Sequence, residues 1–358
     1  MVHGIQSDNP GLKRRANGHA ANPRVDCCDV APFGFCLAAL ERSAKRMASA
    51  GRDAGADRYL RRPAGELMKK NGAWLVLAAA VLWGTTGTAQ ALAPDGAQPA
   101  AIGVVRLAVG GLALLAFALL RRTIKRGRRW PVWTVLIAAA SMAAYQLFFF
   151  AGVARTGVAV GTIVGIGSAP ILAGAIGFLA RGERPGRRWA VATLLALVGC
   201  GLLIAAGRSI HINLSGMLLA TGAGAAYASF TVASKGLLEH DPPEAVMAVV
   251  FCTGALFLAP LLFTANFSWL AQPAGLGVAL HLGLVTVALA YNLFALGLSQ
   301  VPVATAATLT LAEPLTAGTL GVFLLGERLT PLAGVGILLI FTGLVLVSSR
   351  PRPASIPG

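Results

Sequence analysis

From Ala73 to Val347 the sequence is a succession of apolar stretches, each about twenty residues long, joined by short polar or basic connections. Unbroken apolar runs of that length predict helices that cross about 30 Å of hydrocarbon. Ten can be delimited, near 73–92, 100–120, 131–153, 158–180, 188–206, 213–237, 245–264, 274–297, 302–325 and 331–348. The eighth and ninth are separated only by Ser299-Gln300-Val301-Pro302. A transmembrane β-barrel would instead show ten-residue strands of alternating polarity. The pattern therefore predicts an all-α membrane protein with ten transmembrane helices, embedded in the lipid bilayer.

Composition sharpens this reading. The 358 residues are 56% hydrophobic and 12% charged, whereas soluble domains carry roughly a quarter charged residues. A formal charge of +16 invites a nucleic-acid reading, but thirteen of the thirty Lys and Arg precede residue 71 and ten more fall in two runs, Arg121 to Arg129 and Arg181 to Arg188. Basic residues gathered this way mark the cytoplasmic ends of spans, not a surface for nucleic acid. With the N-terminus inside, inner loops and the C-terminal tail (349–358) hold thirteen Lys and Arg against three in outer loops. Both termini are expected in the cytoplasm of a bacterial plasma membrane protein.

Residues 1–67 are polar and rich in Gly, Pro and Arg, without a sustained apolar period, so a disordered basic tail is expected. Met68-Lys69-Lys70-Asn71 directly before an apolar helix has the form of an inner-membrane protein's beginning, so Met68, or else Met47, is an alternative start. Cys27, Cys28 and Cys36 have no spaced His or fourth Cys, so no metal site is expected there. Cys200 and Cys252 read as small packing residues.

Comparing the chain with itself reveals a duplication. A shift of 144 residues brings Gly182-Glu183-Arg184 onto Gly326-Glu327-Arg328, Pro170 onto Pro314, Gly199 onto Gly343, Pro99 onto Pro243 and Trp83 onto Tyr227. After a small further shift Ala144-Tyr145-Gln146-Leu147-Phe148 answers Ala290-Tyr291-Asn292-Leu293-Phe294. The repeats would occupy 73–206 and 213–348. Each holds five helices, and because five is odd the second copy enters the membrane from the opposite side. Two inverted repeats around a central site are a common plan of secondary transporters.

With these residues in place, the sequence resembles the drug/metabolite transporter superfamily, in its ten-helix EamA-type branch, over about residues 70–349. The resemblance is carried by Trp83-Gly84, by Arg106 opening an apolar run, by Pro170 with Gly182-Glu183-Arg184, and by Glu313-Pro314 with Gly326-Glu327-Arg328 and Gly334/Gly336. It implies export of a small metabolite, amino acid or drug across the bacterial plasma membrane. The first repeat departs from the second at Ala169, where a glutamate would match Glu313.

Among the carboxylates only Glu313 falls within an apolar span, where an ionisable group costs at least a few kcal/mol and rarely faces lipid. Its helical neighbours Ala306, Thr310, Thr316 and Ala317 form a small, polar stripe, so it is expected to face the interior, either as a substrate or proton site or as a structural carboxylate beside Pro314. Arg106 shares a helix face with Gly103 and Gly110, and is read either as a substrate-carboxylate or Glu313 partner or as a side chain snorkelling to the nearby interface. Trp83 and Thr88 flank a small face at Gly84, Gly87 and Ala91. Tyr145-Gln146 and Tyr291-Asn292 place an aromatic ring and an amide at matching points of both halves, lining a cavity or joining helices. His281 reads as interfacial, and Glu183 and Glu327 as local caps or ion pairs.

Other classes find less support. No Gly-rich phosphate loop argues for direct ATP drive, and Gly165-Ile166-Gly167-Ser168 presents a lone serine without an activating base. The expectation is a secondary transporter of a small-molecule substrate, working by alternating access with possible proton coupling and no cofactor. A channel-like or non-transporting membrane protein, then an intramembrane enzyme, are the alternatives. The sequence leaves the oligomeric state open.

Overall fold

The computed structural model describes residues 64–125, 127–205, 213–325 and 330–349, and no strand occurs among them. The α-helices are α1 (Ala64–Ala91), α2 (Pro99–Leu120), α3 (Val132–Arg181), α4 (Arg187–Ala205), α5 (Leu214–Leu238), α6 (Pro243–Leu258), α7 (Pro273–Leu280), α8 (Ala290–Leu298), α9 (Val303–Leu309), α10 (Ala312–Leu325) and α11 (Pro331–Ser348). In hydrocarbon a segment must satisfy its own backbone polar groups, which is why these apolar runs are helical. Proline opens α2, α6, α7 and α11 in the first turn, where its missing N–H is not needed.

Eight segments are long and apolar enough to cross a membrane: Gly72–Ala91, Ala100–Leu120, Val132–Thr156, Val160–Arg181, Leu214–Leu238, Pro243–Phe263, Pro273–Leu298 and Pro331–Ser348. The fifth and ninth expected spans correspond to α4 and to α9 with α10. The helical segment α3 extends over 50 residues. At 1.5 Å per residue a straight helix of that length would reach about 75 Å, more than twice the hydrocarbon thickness. It is not straight, because Gly165 lies against the ring of Phe149 and Gly161 against the backbone of Val153. The chain doubles back between Thr156 and Val160, and α3 is two antiparallel spans.

The eighth and ninth spans depart from regular helix. Between α7 and α8 the residues His281–Leu289 form a π-helix. Between α9 and α10 the ladder breaks at Thr310 and Leu311, because Pro314 has no N–H for the Thr310 carbonyl, which instead accepts from the Glu313 N–H at 2.9 Å. Pro170, the repeat counterpart of Pro314, sits inside α3.

Close backbone contacts display the pseudo-two-fold relation. A Cβ on Gly297 of α8 would lie 2.6 Å from the Gly72 carbonyl oxygen of α1, and one on Gly216 of α5 would lie 3.2 Å from that of Gly152 in α3. Gly216 is 144 residues after Gly72, and Gly297 is 145 after Gly152. Likewise Gly199 of α4 packs on Gly336 of α11, while Gly343 of α11 packs on Ala192 of α4. Small residues allow such approach, and in lipid this packing replaces a hydrophobic drive between helices. Large side chains on the outer faces, among them Trp74, Phe117, Trp133, Phe178 and Phe341, are exposed as lipid contact requires.

Candidate functional site

The repeat symmetry converges on four aromatic side chains near the middle of their spans: Trp83 of α1, Tyr145 of α3, Tyr227 of α5 and Tyr291 of α8. Trp83 packs on Tyr291 with ring centroids 4.7 Å apart, and the repeat-related pair Tyr227 and Tyr145 stand 5.8 Å apart. Across the pseudo-axis Trp83 meets Tyr227 edge-on at 6.5 Å. Phe230, Phe251 and Phe294 pack around the tyrosines and extend the cluster into the core.

Local structure fixes these positions. The indole N–H of Trp83 donates to the Thr286 carbonyl at 2.9 Å, inside the π-helix, so the irregular segment supplies the acceptor that holds the ring. π-Segments recur at functional sites because they re-aim backbone groups. Next to Trp83, Gly84 lets α1 approach α10: a Cβ there would lie 2.9 Å from the Glu313 carbonyl oxygen and 2.5 Å from Thr316 Cβ. The Trp83-Gly84 pair thus brings an aromatic ring and the Glu313 turn together.

Glu313 opens α10 just after the break, and a carboxylate is favoured in the first turn of a helix. Arg106 is 9% exposed and so is buried among the helices. Its Nε has no hydrogen-bond partner among the described residues, nor does Asn292 Oδ1. No ion pair joins Arg106 to Glu313 among the described residues. A guanidinium offers N–H donors only, so the groups that suit this edge are acceptors such as a carboxylate.

Of the expected residues, Trp83 and Tyr291 pack ring on ring, Tyr145 joins them through Tyr227, and the Glu313 turn packs on Gly84 next to Trp83. Gln146 is buried beside Tyr145 in sequence, whereas Thr88 lies more than a turn beyond Trp83 and takes no part in the ring or ion contacts. Tyr227 was not among the expected site residues, although its equivalence to Trp83 is the signal that finds it. The Tyr227 hydroxyl is buried without a hydrogen-bond partner among the described residues. His281, expected at the interface, meets the Thr85 hydroxyl of α1 at 2.9 Å. Glu183 caps a helix of the other repeat and not its own, while Glu327 lies outside the described residues. No cluster of three or more His, Cys, Asp or Glu that would hold a metal ion occurs among the described residues.

The profile of the EamA-like transporter family matches residues 70–205 and again residues 214–349. The chain belongs to the EamA-like transporter family. It is 48% identical over 278 residues to the uncharacterized transporter YwfM of Bacillus subtilis, covering 77% of this chain and 93% of that one. It is 31% identical over 266 residues to the threonine/homoserine exporter RhtA of Escherichia coli K12, covering 72% and 84%. A solved crystal structure shares the fold with a TM-score of 0.68 at 21% identity, covering 77% of this chain and 98% of its own. This membership agrees with the multi-pass helical architecture and the two repeats. The family and these relatives are transporters, which makes a small molecule the substrate and the bilayer the setting.

Proposed function

We propose that this protein is a secondary exporter of a small zwitterionic solute of the amino-acid class, acting by alternating access across the bacterial plasma membrane with both termini in the cytoplasm. The observation that carries the reading is the cluster of Trp83, Tyr145, Tyr227 and Tyr291 on the pseudo-axis, with the Glu313 turn packed on Gly84 next to Trp83 and the Arg106 side chain buried in the bundle. In this reading the solute carboxylate fills the free Arg106 donor, the ammonium is received by Glu313 and the faces of Tyr145 and Tyr291, and Trp83 and Tyr227 close the site on the pseudo-axis. The absence of an Arg106–Glu313 ion pair supports it, because the two charges are left to opposite ends of a ligand. Gln146 and Asn292 supply amide groups to the same region, and Thr88 serves the pathway beyond it. Similarity to the exporter RhtA supports both the direction and the ligand class.

Glu313 is also the group proposed for coupling, since a carboxylate in a span can exchange its proton with either side during a cycle. Glu313→Gln then abolishes pH-gradient-driven accumulation of L-threonine or L-homoserine in proteoliposomes, while exchange of labelled for unlabelled solute remains measurable. A wild-type rate indifferent to an imposed pH gradient contradicts coupling. Unchanged transport per folded molecule with lowered thermal stability assigns Glu313 a structural role instead.

A further inference from the structure

The loops at one end of the bundle hold an ionic clamp that joins the two repeats. At the end of α3, Gly182 takes the left-handed conformation with φ of +67°, and the N–H groups of Gly182 and Glu183 close onto Phe178 and Gly177. That turn sends the Glu183 carboxylate across to the other repeat, where Oε2 accepts the Val303 N–H at 2.8 Å, at the start of α9. Lys235, near the end of α5, reaches the same turn from the other side. Its ammonium donates to the carbonyls of Leu298 at 3.2 Å and of Val301, the open end of α8, and lies 3.9 Å from Glu183 Oε1. Arg181 pairs with Glu183 at 3.4 Å and with Glu239 beyond α5. The anion therefore sits on a helix N-terminus and the cation on a helix C-terminus, each where the helix dipole favours it.

The two cations of the clamp are not repeated in the sequence, while the counterpart of Glu183, Glu327, lies outside the described residues. Shifting by 144 residues turns Arg181 into Leu325 and Lys235 into Ala91. Among the described residues, all ion pairs lie at the clamped end, including the two-point contact of Arg128 with Asp241. The site described above lies about half a span away and shares no residue with the clamp.

We propose that Glu183 with Arg181 and Lys235 forms the gate at this end of the transport pathway, holding the α8–α9 turn against α3 and α5 so that the resting protein is closed here. Opening this end requires Val303, Leu298 and Val301 to leave Glu183 and Lys235 together. The inference rests on alternating access, and its test requires no substrate.

Spin labels at Pro185→Cys and Ser299→Cys, both exposed on the two sides of the clamp, report its width by pulsed electron resonance on full-length protein in lipid nanodiscs, after the other cysteines are replaced. A second pair at Gln98→Cys and Thr264→Cys reports the opposite end. The unsubstituted gate should give one short distance at the clamped end. Glu183→Ala, which removes the cap and both cation contacts, should raise a longer-distance population about fivefold or more, with a matching change at the opposite end. Glu183→Gln, which keeps an acceptor for Val303 but loses the charge, should give a smaller rise, and Lys235→Met a rise of its own. Size-exclusion profiles identify any variant that fails to fold. Folded Glu183→Ala and Lys235→Met proteins with unchanged distance distributions would overturn the gate. A rise at the clamped end without any change at the opposite end would show mere fraying and overturn it equally.

Discussion

Gly336 and Gly334 stand two residues apart on α11, and the structure gives alanine opposite effects at the two positions. A Cβ on Gly334 meets nothing within 4 Å. One on Gly336 would lie 2.6 Å from the Gly199 carbonyl oxygen, 2.7 Å from the Leu203 nitrogen and 3.2 Å from Leu203 Cα. All three are backbone atoms of α4, so no side-chain rotation relieves the clash and the helices must separate. Alanine in a helix interior is worth about 0.5–1 kcal/mol over glycine, so Gly334→Ala should stabilise by roughly that amount. At Gly336 the same gain is set against overpacking of about 1–3 kcal/mol, and close small-residue packing is what holds helices together in lipid. Net destabilisation of up to about 2.5 kcal/mol follows, and the gap between the variants, which share the alanine gain, is the overpacking itself, about 1–3 kcal/mol. At about 2–4 °C per kcal/mol this separates their melting temperatures by roughly 2–12 °C. Fluorescence-detected size exclusion after heating reads this directly. Gly343→Ala, whose Cβ would lie 2.6 Å from the Ala192 carbonyl oxygen, should behave like Gly336→Ala. Equal melting temperatures for Gly334→Ala and Gly336→Ala would refute the seam between α4 and α11.

Two further outcomes are expected. In intact cells a cysteine at Gly127 should resist an impermeant thiol reagent while one at Gln98 reacts, and the reverse labelling pattern would invert the topology. Trp83→Phe keeps the ring stack but leaves the Thr286 carbonyl without its donor, so it should lower thermal stability by about 1–3 kcal/mol, and an unchanged melting curve would show that the indole N–H holds nothing in place.

Much of the architecture was legible because lipid imposes simple rules. Apolar length marked the spans, and the 144-residue shift revealed the repeats before any contact was known. That same shift joined Trp83 to Tyr227, yet Tyr227 reads as an ordinary core aromatic until the rings are seen to converge. The π-segment at His281–Leu289 has no residue signature, since its cause lies in what α1 and α2 demand of it through Trp83 and Gly110. The break before Glu313 was half visible in Pro314, but Pro170 lies inside a helix, so proline alone does not decide it. Glu183 forms the local ion pair that its neighbouring arginines suggest, with Arg181 at 3.4 Å, but its second contact is not legible in the sequence. That partner is a backbone N–H 120 residues away, which no side-chain pattern announces.

Counterflow in proteoliposomes tests the central claim most directly. Vesicles preloaded with unlabelled L-threonine or L-homoserine should draw in the labelled solute transiently against its gradient, with saturation. Folded Arg106→Gln should lose that overshoot, because the solute carboxylate no longer finds its partner. Solute flux without saturation or overshoot would contradict the carrier, and an Arg106→Gln protein with an unchanged overshoot would contradict the site.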